Sequence, residues 1–111
     1  MITRNKEIKS VRIESIEDVS IEGRFLRKTL SLSQNMELIE AILNTGTIIP
    51  THIHRNWESV GYVVEGKLRM IIEGEEHILE RGDSWYHPQN IAHSTEALEN
   101  TKTIEVFNPP I

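Results

Sequence analysis

His52-Ile53-His54 is the segment of this sequence in which residue type and spacing most directly allow chemistry. Residues two apart on a β-strand project from one face, their Cα atoms roughly 6.6–7 Å apart. Two imidazoles so placed can converge on one ion at about 2.0–2.1 Å. Pro50, just upstream, weakens strand pairing and suits a strand edge or a bulge beside a cavity. The same pattern also fits two solvent-facing histidines, and the tripeptide alone does not choose between them. The chain has no cysteine. Thiolate zinc sites, Fe–S clusters, disulfides and cysteine nucleophiles are thereby excluded, so any transition-metal site must use histidine and carboxylate.

Other side chains are candidates for what surrounds such a site. Trp85 and His87 stand two apart and share a face, either lining an interior or with His87 as a hydrogen-bonded structural histidine. In Thr103-Ile104-Glu105-Val106-Phe107, Glu105 and Phe107 share one face and Ile104 and Val106 the other. A carboxylate there either faces solvent or, if desolvated, transfers protons. Trp57 either covers a cavity mouth or packs on its rim, and His77, beside Glu75-Glu76, reads as a surface residue.

The elements that must position these groups read as strands. Arg24 to Ser33 alternates Leu26, Leu30 and Leu32 with Thr29, Ser31 and Ser33. Further runs span Met36 to Leu43, Thr47 to His54, Val60 to Val64, Leu68 to Ile72, His77 to Leu79, Ser84 to His87 and Thr103 to Phe107. Turn signals separate them, among them Asn44-Thr45-Gly46, Glu65-Gly66, Arg81-Gly82-Asp83 and a hairpin loop at Glu73-Gly74-Glu75-Glu76. Met36 to Ile42 also admits a helix, but its length and flanking turns favour a strand. No segment offers the long helices that a parallel α/β fold needs between strands. The expectation is an all-β sandwich or barrel.

The 111 residues predict one domain, residues 1–111. Twelve basic and seventeen acidic residues give a net charge of -5 with no basic block, which argues against a nucleic-acid surface. Apolar runs of only a few residues argue against a membrane span. Met1 to Ser10 carries no apolar signal core, so a cytoplasmic protein is expected.

Residues 46–66, GTIIPTHIHRNWESVGYVVEG, have the form G-x5-H-x-H-x3-E-x7-G, and residues 82–97, GDSWYHPQNIAHSTEA, begin G-x5-P-x-N-x2-H. The two stretches resemble, in order and at a matched separation, the two sequence motifs of the cupin superfamily. The resemblance implies a conical jelly-roll β-barrel holding one divalent transition metal, Ni, Zn, Fe, Mn or Cu. It implies His52, His54 and His93 as ligands. The fourth, a carboxylate or glutamine in the family, falls by spacing on Ser59, with Glu58 one residue early. A one-residue slip turns a side chain to the opposite face, so Glu58 ligates only if a bulge near Gly61 re-aims it. Asn90 stands for the second-motif glycine, a mild change because asparagine tolerates left-handed backbone.

The segments ESVGYVVEG, LERGDSWYHPQNIAHSTEALE and IEVFNPP further resemble the small pectin-degradation cupins that linearise unsaturated uronic acids. That resemblance implies Glu105 and Phe107 as pocket residues; with Trp85 and His87 shaping the cavity, the expected ligand is a small sugar-acid-like or keto-acid-like molecule, and Glu105 (or Glu58) is the expected catalytic proton shuttle. A homodimer is expected. Ile111 stands where those proteins carry an arginine, the planar donor suited to a substrate carboxylate. Arg24, Arg27 or Arg69 are the possible replacements. Two other functions stay open: a metal-dependent dioxygenase, and a non-catalytic ligand sensor, which Ser59 and Ile111 would favour.

Overall fold

A computed structural model describes all residues, 1–111. After a single 3-10 turn at Asn5–Glu7, twelve strands follow. They are β1 (Val11–Arg12), β2 (Ser15–Ile16), β3 (Val19–Ser20), β4 (Phe25–Leu32), β5 (Glu37–Leu43), β6 (Ile48–His52), β7 (Glu58–Glu65), β8 (Lys67–Ile72), β9 (Glu75–Glu80), β10 (Ser84–His87), β11 (His93–Ala97) and β12 (Thr101–Asn108). One sheet has the order β1-β4-β5-β12-β7-β10 and the other β6-β11-β8-β9, with β2 and β3 forming a separate hairpin. Every pairing is antiparallel. No helix is long and apolar enough to cross a membrane.

The alternation that makes these strands also decides what they enclose. Along β5, Glu37, Ile39, Ala41 and Leu43 are buried while the residues between them are half-exposed. Met36 to Leu43 is therefore a strand as expected. On β4 the outcome differs from the apolar pattern: Phe25 is buried, whereas Leu32 is exposed. The inward face of β4 is set by its pairing to β5, where Phe25 meets Leu43 and Arg27 meets Ala41. Strand β11 was not among the expected runs, because His93, Thr95 and Ala97 bury polar groups along with one small apolar one.

Nine apolar residues, including Phe25, Leu43, Val63, Leu68 and Met70, pack between the sheets. Their burial is the main driving term for closing the two sheets on each other. A smaller cluster, Ile39, Trp57 and Phe107, packs nearer the histidines. Close approach requires glycine at several positions, two of which shape the first sheet. Gly66, at φ +99, turns β7 into β8 where a Cβ would lie 2.4 Å from Thr101 Oγ1. Gly61 lies under Trp85, and a Cβ there would come within 2.0 Å of the indole. The Glu73-Gly74 pair takes positive φ at both residues, a tight two-residue turn, so β9 begins at Glu75, earlier than the sequence pattern suggests.

Candidate metal centre and cavity

Strands β6 and β11 lie side by side, and their register sets His93 directly opposite His52. His54 follows two residues after His52, so residues far apart in the chain meet at one end of the second sheet. The imidazole centroids are 4.7 Å apart for His52–His54, 4.4 Å for His52–His93 and 4.8 Å for His54–His93. Their ligand atoms all lie within 4.8 Å of one another, and all three residues are buried. Pro50 sits on β6, which is the edge strand of its sheet, the place a proline is tolerated.

The outer nitrogens determine what the inner ones can do. His52 Nδ1–H donates to the Pro50 carbonyl at 2.7 Å, and His93 Nδ1–H to the Ile91 carbonyl at 2.9 Å. A carbonyl only accepts, so in each neutral ring Nε2 is left unprotonated with a free lone pair. His54 Nδ1 lies 3.4 Å from Glu17 Oε1, at the tip of the β2–β3 hairpin, and Trp57 stacks on the ring at 3.5 Å. Such outer partners fix ring orientation in metal sites. Burial lowers the pKa of all three histidines. His54 falls to about 3, through burial first and then the neighbouring His52 and His93. His93 falls to about 4, mainly by burial, against the opposing effect of its bond to Ile91. Near neutral pH the cluster is uncharged and its donors are ready to ligate. This donor set fits a divalent transition metal.

The facing wall comes from the first sheet. Across β12, β7 and β10 the register aligns Glu105, Gly61 and Trp85 in one row, and Phe107, Ser59 and His87 in the next. Because Gly61 has no side chain, the Trp85 indole lies across it towards Glu105. Glu105 is half-buried, and the desolvation of its carboxyl in the cavity pushes its pKa up to about 7, against the opposing influence of the Ser59 hydroxyl, the Trp85 indole and the Arg27 charge. Neither Ser59 nor Trp85 closes a hydrogen bond: Ser59 Oγ, Trp85 Nε1 and His87 Nε2 are all buried without a partner. Native interiors rarely leave such groups unpaired, so these three atoms, two of them beside Glu105, suit a water or a polar ligand. His87 stacks on His93 at 3.7 Å, and burial, then the other histidines, pushes its pKa down to about 2.

Most residues singled out from the sequence meet here. His52, His54, His93, Trp85, His87, Glu105 and Phe107 all line one cavity, which Trp57 also borders while packing on Phe107. Glu58 is a correction. Strand β7 runs in regular register from Glu58 to Tyr62 against β12, with no bulge at Gly61. Its inward residues are Ser59, Gly61 and Val63, so Glu58 stands on the other face and is absent from the histidine cluster. His77 is exposed on β9. Arg24 is exposed, and Arg69 is paired with Glu76 and Glu96, which leaves Arg27 as the arginine of the cavity. Ile111 also lines it, its backbone N–H donating to Glu37 Oε1 at 3.0 Å. Glu17 and Glu37 were not foreseen. Glu37 sits in an otherwise apolar alternation, a signal that could have marked it as buried and partnered; Glu17 carries no local signal at all.

The comparisons with known proteins agree with this geometry. Residues 39–107 match the Cupin domain family. Over 84 residues the chain is 30% identical to the pectin degradation protein KdgF of Dickeya dadantii, covering 75% of this chain and 76% of that one. The structure of KdgF from Halomonas sp. superposes with a TM-score of 0.87 at 25% identity, covering 100% of this chain and 94% of the other. A predicted oxalate decarboxylase from Thermotoga maritima shares the fold, with a TM-score of 0.82 at 20% identity and full coverage of both chains. With two facing antiparallel sheets, buried histidines where the two motifs place them, and a family match over most of its length, the chain belongs to the cupin family.

Proposed function

We propose that this cupin is a metal-dependent isomerase that opens the ring of a small unsaturated uronic acid. The observation that carries the reading is the opposition of two groups across one cavity. A cluster of neutral histidines stands on one wall, and a carboxyl group whose pKa lies at about 7 on the other. His52, His54 and His93 would hold one divalent metal, which supplies Lewis acidity to an oxygen of the ligand. Opening an unsaturated uronate breaks its C1–O5 bond and moves one proton from the C1 hydroxyl to C4. Glu105, poised between its two protonation states near neutral pH, can take and return that proton. Trp57, Trp85 and Phe107 exclude water from the reacting face. Similarity to the pectin degradation protein KdgF supports the choice of substrate class.

The test is optical. Metal-loaded protein, carrying close to one ion per chain by elemental analysis, should abolish the conjugated ultraviolet band of unsaturated galacturonate faster than buffer with the same metal. A band that persists at the buffer rate refutes the reading. We further propose that the chain works as a homodimer. The outer face of the first sheet presents Val60, Tyr62 and Tyr86 to solvent beside Ile104 and Val106, an apolar area suited to pairing.

A further inference from the structure

Arg27 occupies an unusual position for an arginine. It projects from the middle of β4 in the row of buried Ala41 and Thr103, on the inward face. Around it the cavity is apolar, with Phe25, Leu43 and Met70 among its walls. Arg27 forms none of the ion pairs in the molecule and donates none of its side-chain hydrogen bonds, whereas Arg69 is held by two glutamates. Arg27 is half-buried, and a guanidinium offers five donors in a planar fork that this apolar part of the cavity leaves without a hydrogen-bond partner. The only acidic side chain sharing the cavity is Glu105.

We propose that Arg27 is the anchor for the carboxylate of the ligand, on the wall that faces the histidines. Register supports the placement. Arg27 lies one inward row from Glu105, because Thr29, two residues on, pairs with Ile39 and Ile39 with Glu105. The unpartnered atoms of Trp85, Ser59 and His87 occupy the Glu105 row and the row beyond it. Successive rows are roughly 6.6–7 Å apart along the strands, and β4 lies two strands, about 9.5 Å, across the sheet from β12, a span that the long arginine side chain shortens to the scale of a sugar acid. A ligand with its carboxylate on Arg27 would thus lay its ring over Glu105 and turn its hydroxyls towards Ser59, Trp85 and His87. One arginine among apolar walls, with Glu105 close by, suits a single negative charge better than a phosphate dianion. A planar carboxylate matches the guanidinium fork with two parallel hydrogen bonds.

The anchor depends on the ring-opening reading for the choice of sugar acid, and the experiment separates the two. Binding of D-galacturonate and of D-galactose to the metal-loaded protein is measured by calorimetry, for the wild type, Arg27→Gln and Arg27→Lys. The wild type should prefer the acid, and Arg27→Gln should lose about 10- to 100-fold for the acid alone, as expected for hydrogen bonds to a charged partner. Arg27→Lys, which keeps the charge and loses the fork, should fall between. Inorganic phosphate should compete weakly. In the wild type, the Arg27 Nε–H resonance should shift with galacturonate and not with galactose, a readout independent of how the variants fold. Equal preference in wild type and Arg27→Gln, an unmoved resonance, or tighter binding of phosphate than of galacturonate overturns the anchor. Arg27-dependent preference for the acid without ring opening keeps the anchor and refutes the isomerase; ring opening with an unchanged KM in Arg27→Gln does the reverse.

Discussion

Replacing Gly61 by alanine tests how the facing wall is built. The added Cβ would lie 2.0 Å from Trp85 Cζ2, 2.3 Å from Cε2 and 2.5 Å from Cη2. Carbon atoms rest at about 3.5–4.0 Å, so the indole must retreat by roughly 1.5 Å or more. Overpacking of this kind costs about 1–3 kcal/mol, which for a domain of this size lowers Tm by roughly 4–15 °C. Retreat also carries Nε1 away from Glu105 and removes one of the influences that hold the carboxyl pKa down. The pKa of Glu105 then rises above its present value of about 7. If its carboxylate form takes the proton, the rising limb of the rate–pH profile moves to higher pH. The histidines belong to the other sheet and its following loop, so metal content should be unchanged. Differential scanning calorimetry, tryptophan emission and elemental analysis read these effects separately. A variant with wild-type Tm and emission would show that Trp85 does not lie over Gly61, and a variant that loses metal would show that the walls are not independent.

Further outcomes follow from the same layout. His93→Ala should strip most of the bound metal, whereas His77→Ala, on an exposed strand position, should keep the wild-type content on elemental analysis. Glu105→Gln should retain metal and lose about 100- to 10,000-fold in turnover, the usual contribution of a general acid or base. Because burial raises the folded pKa of Glu105 from 4.5 to about 7, the native state holds this proton more tightly than the unfolded one. Its contribution to stability is present below about pH 4.5 and declines towards pH 7, so Glu105→Gln should flatten that part of the pH dependence in denaturant titrations. Tyr62→Glu should convert a dimer to a monomer in light scattering; a wild type that is already monomeric removes the proposed pairing.

Much of the fold was legible because alternation and turn residues act locally. Met36 to Leu43, Val60 to Val64 and Thr103 to Phe107 reveal strands by their own composition, and His52-Ile53-His54 reveals a shared face by spacing alone. Which face points inward was less legible. The leucines of β4 suggested one apolar face, yet pairing to β5 turned Phe25 and Arg27 to the interior, and a register shift after Thr29 set Leu32 opposite Glu37 at the strand end, where it is exposed. The side of Glu58 depended on whether β7 bulges, a property of its pairing with β12 and β10 rather than of its own residues.

By itself, then, the sequence determined the class of fold, the ligand chemistry available to a chain without cysteine and the identity of the paired histidines, since these depend on residue types and short spacings. The motif resemblance already grouped His93 with His52 and His54; only the tertiary structure decided how closely the three rings approach, that Ser59 rather than Glu58 faces the cavity, and that Arg27 and Glu105 share it. Those are matters of register between strands distant in the chain, and a shift of one residue in register reverses the face of every side chain on a strand.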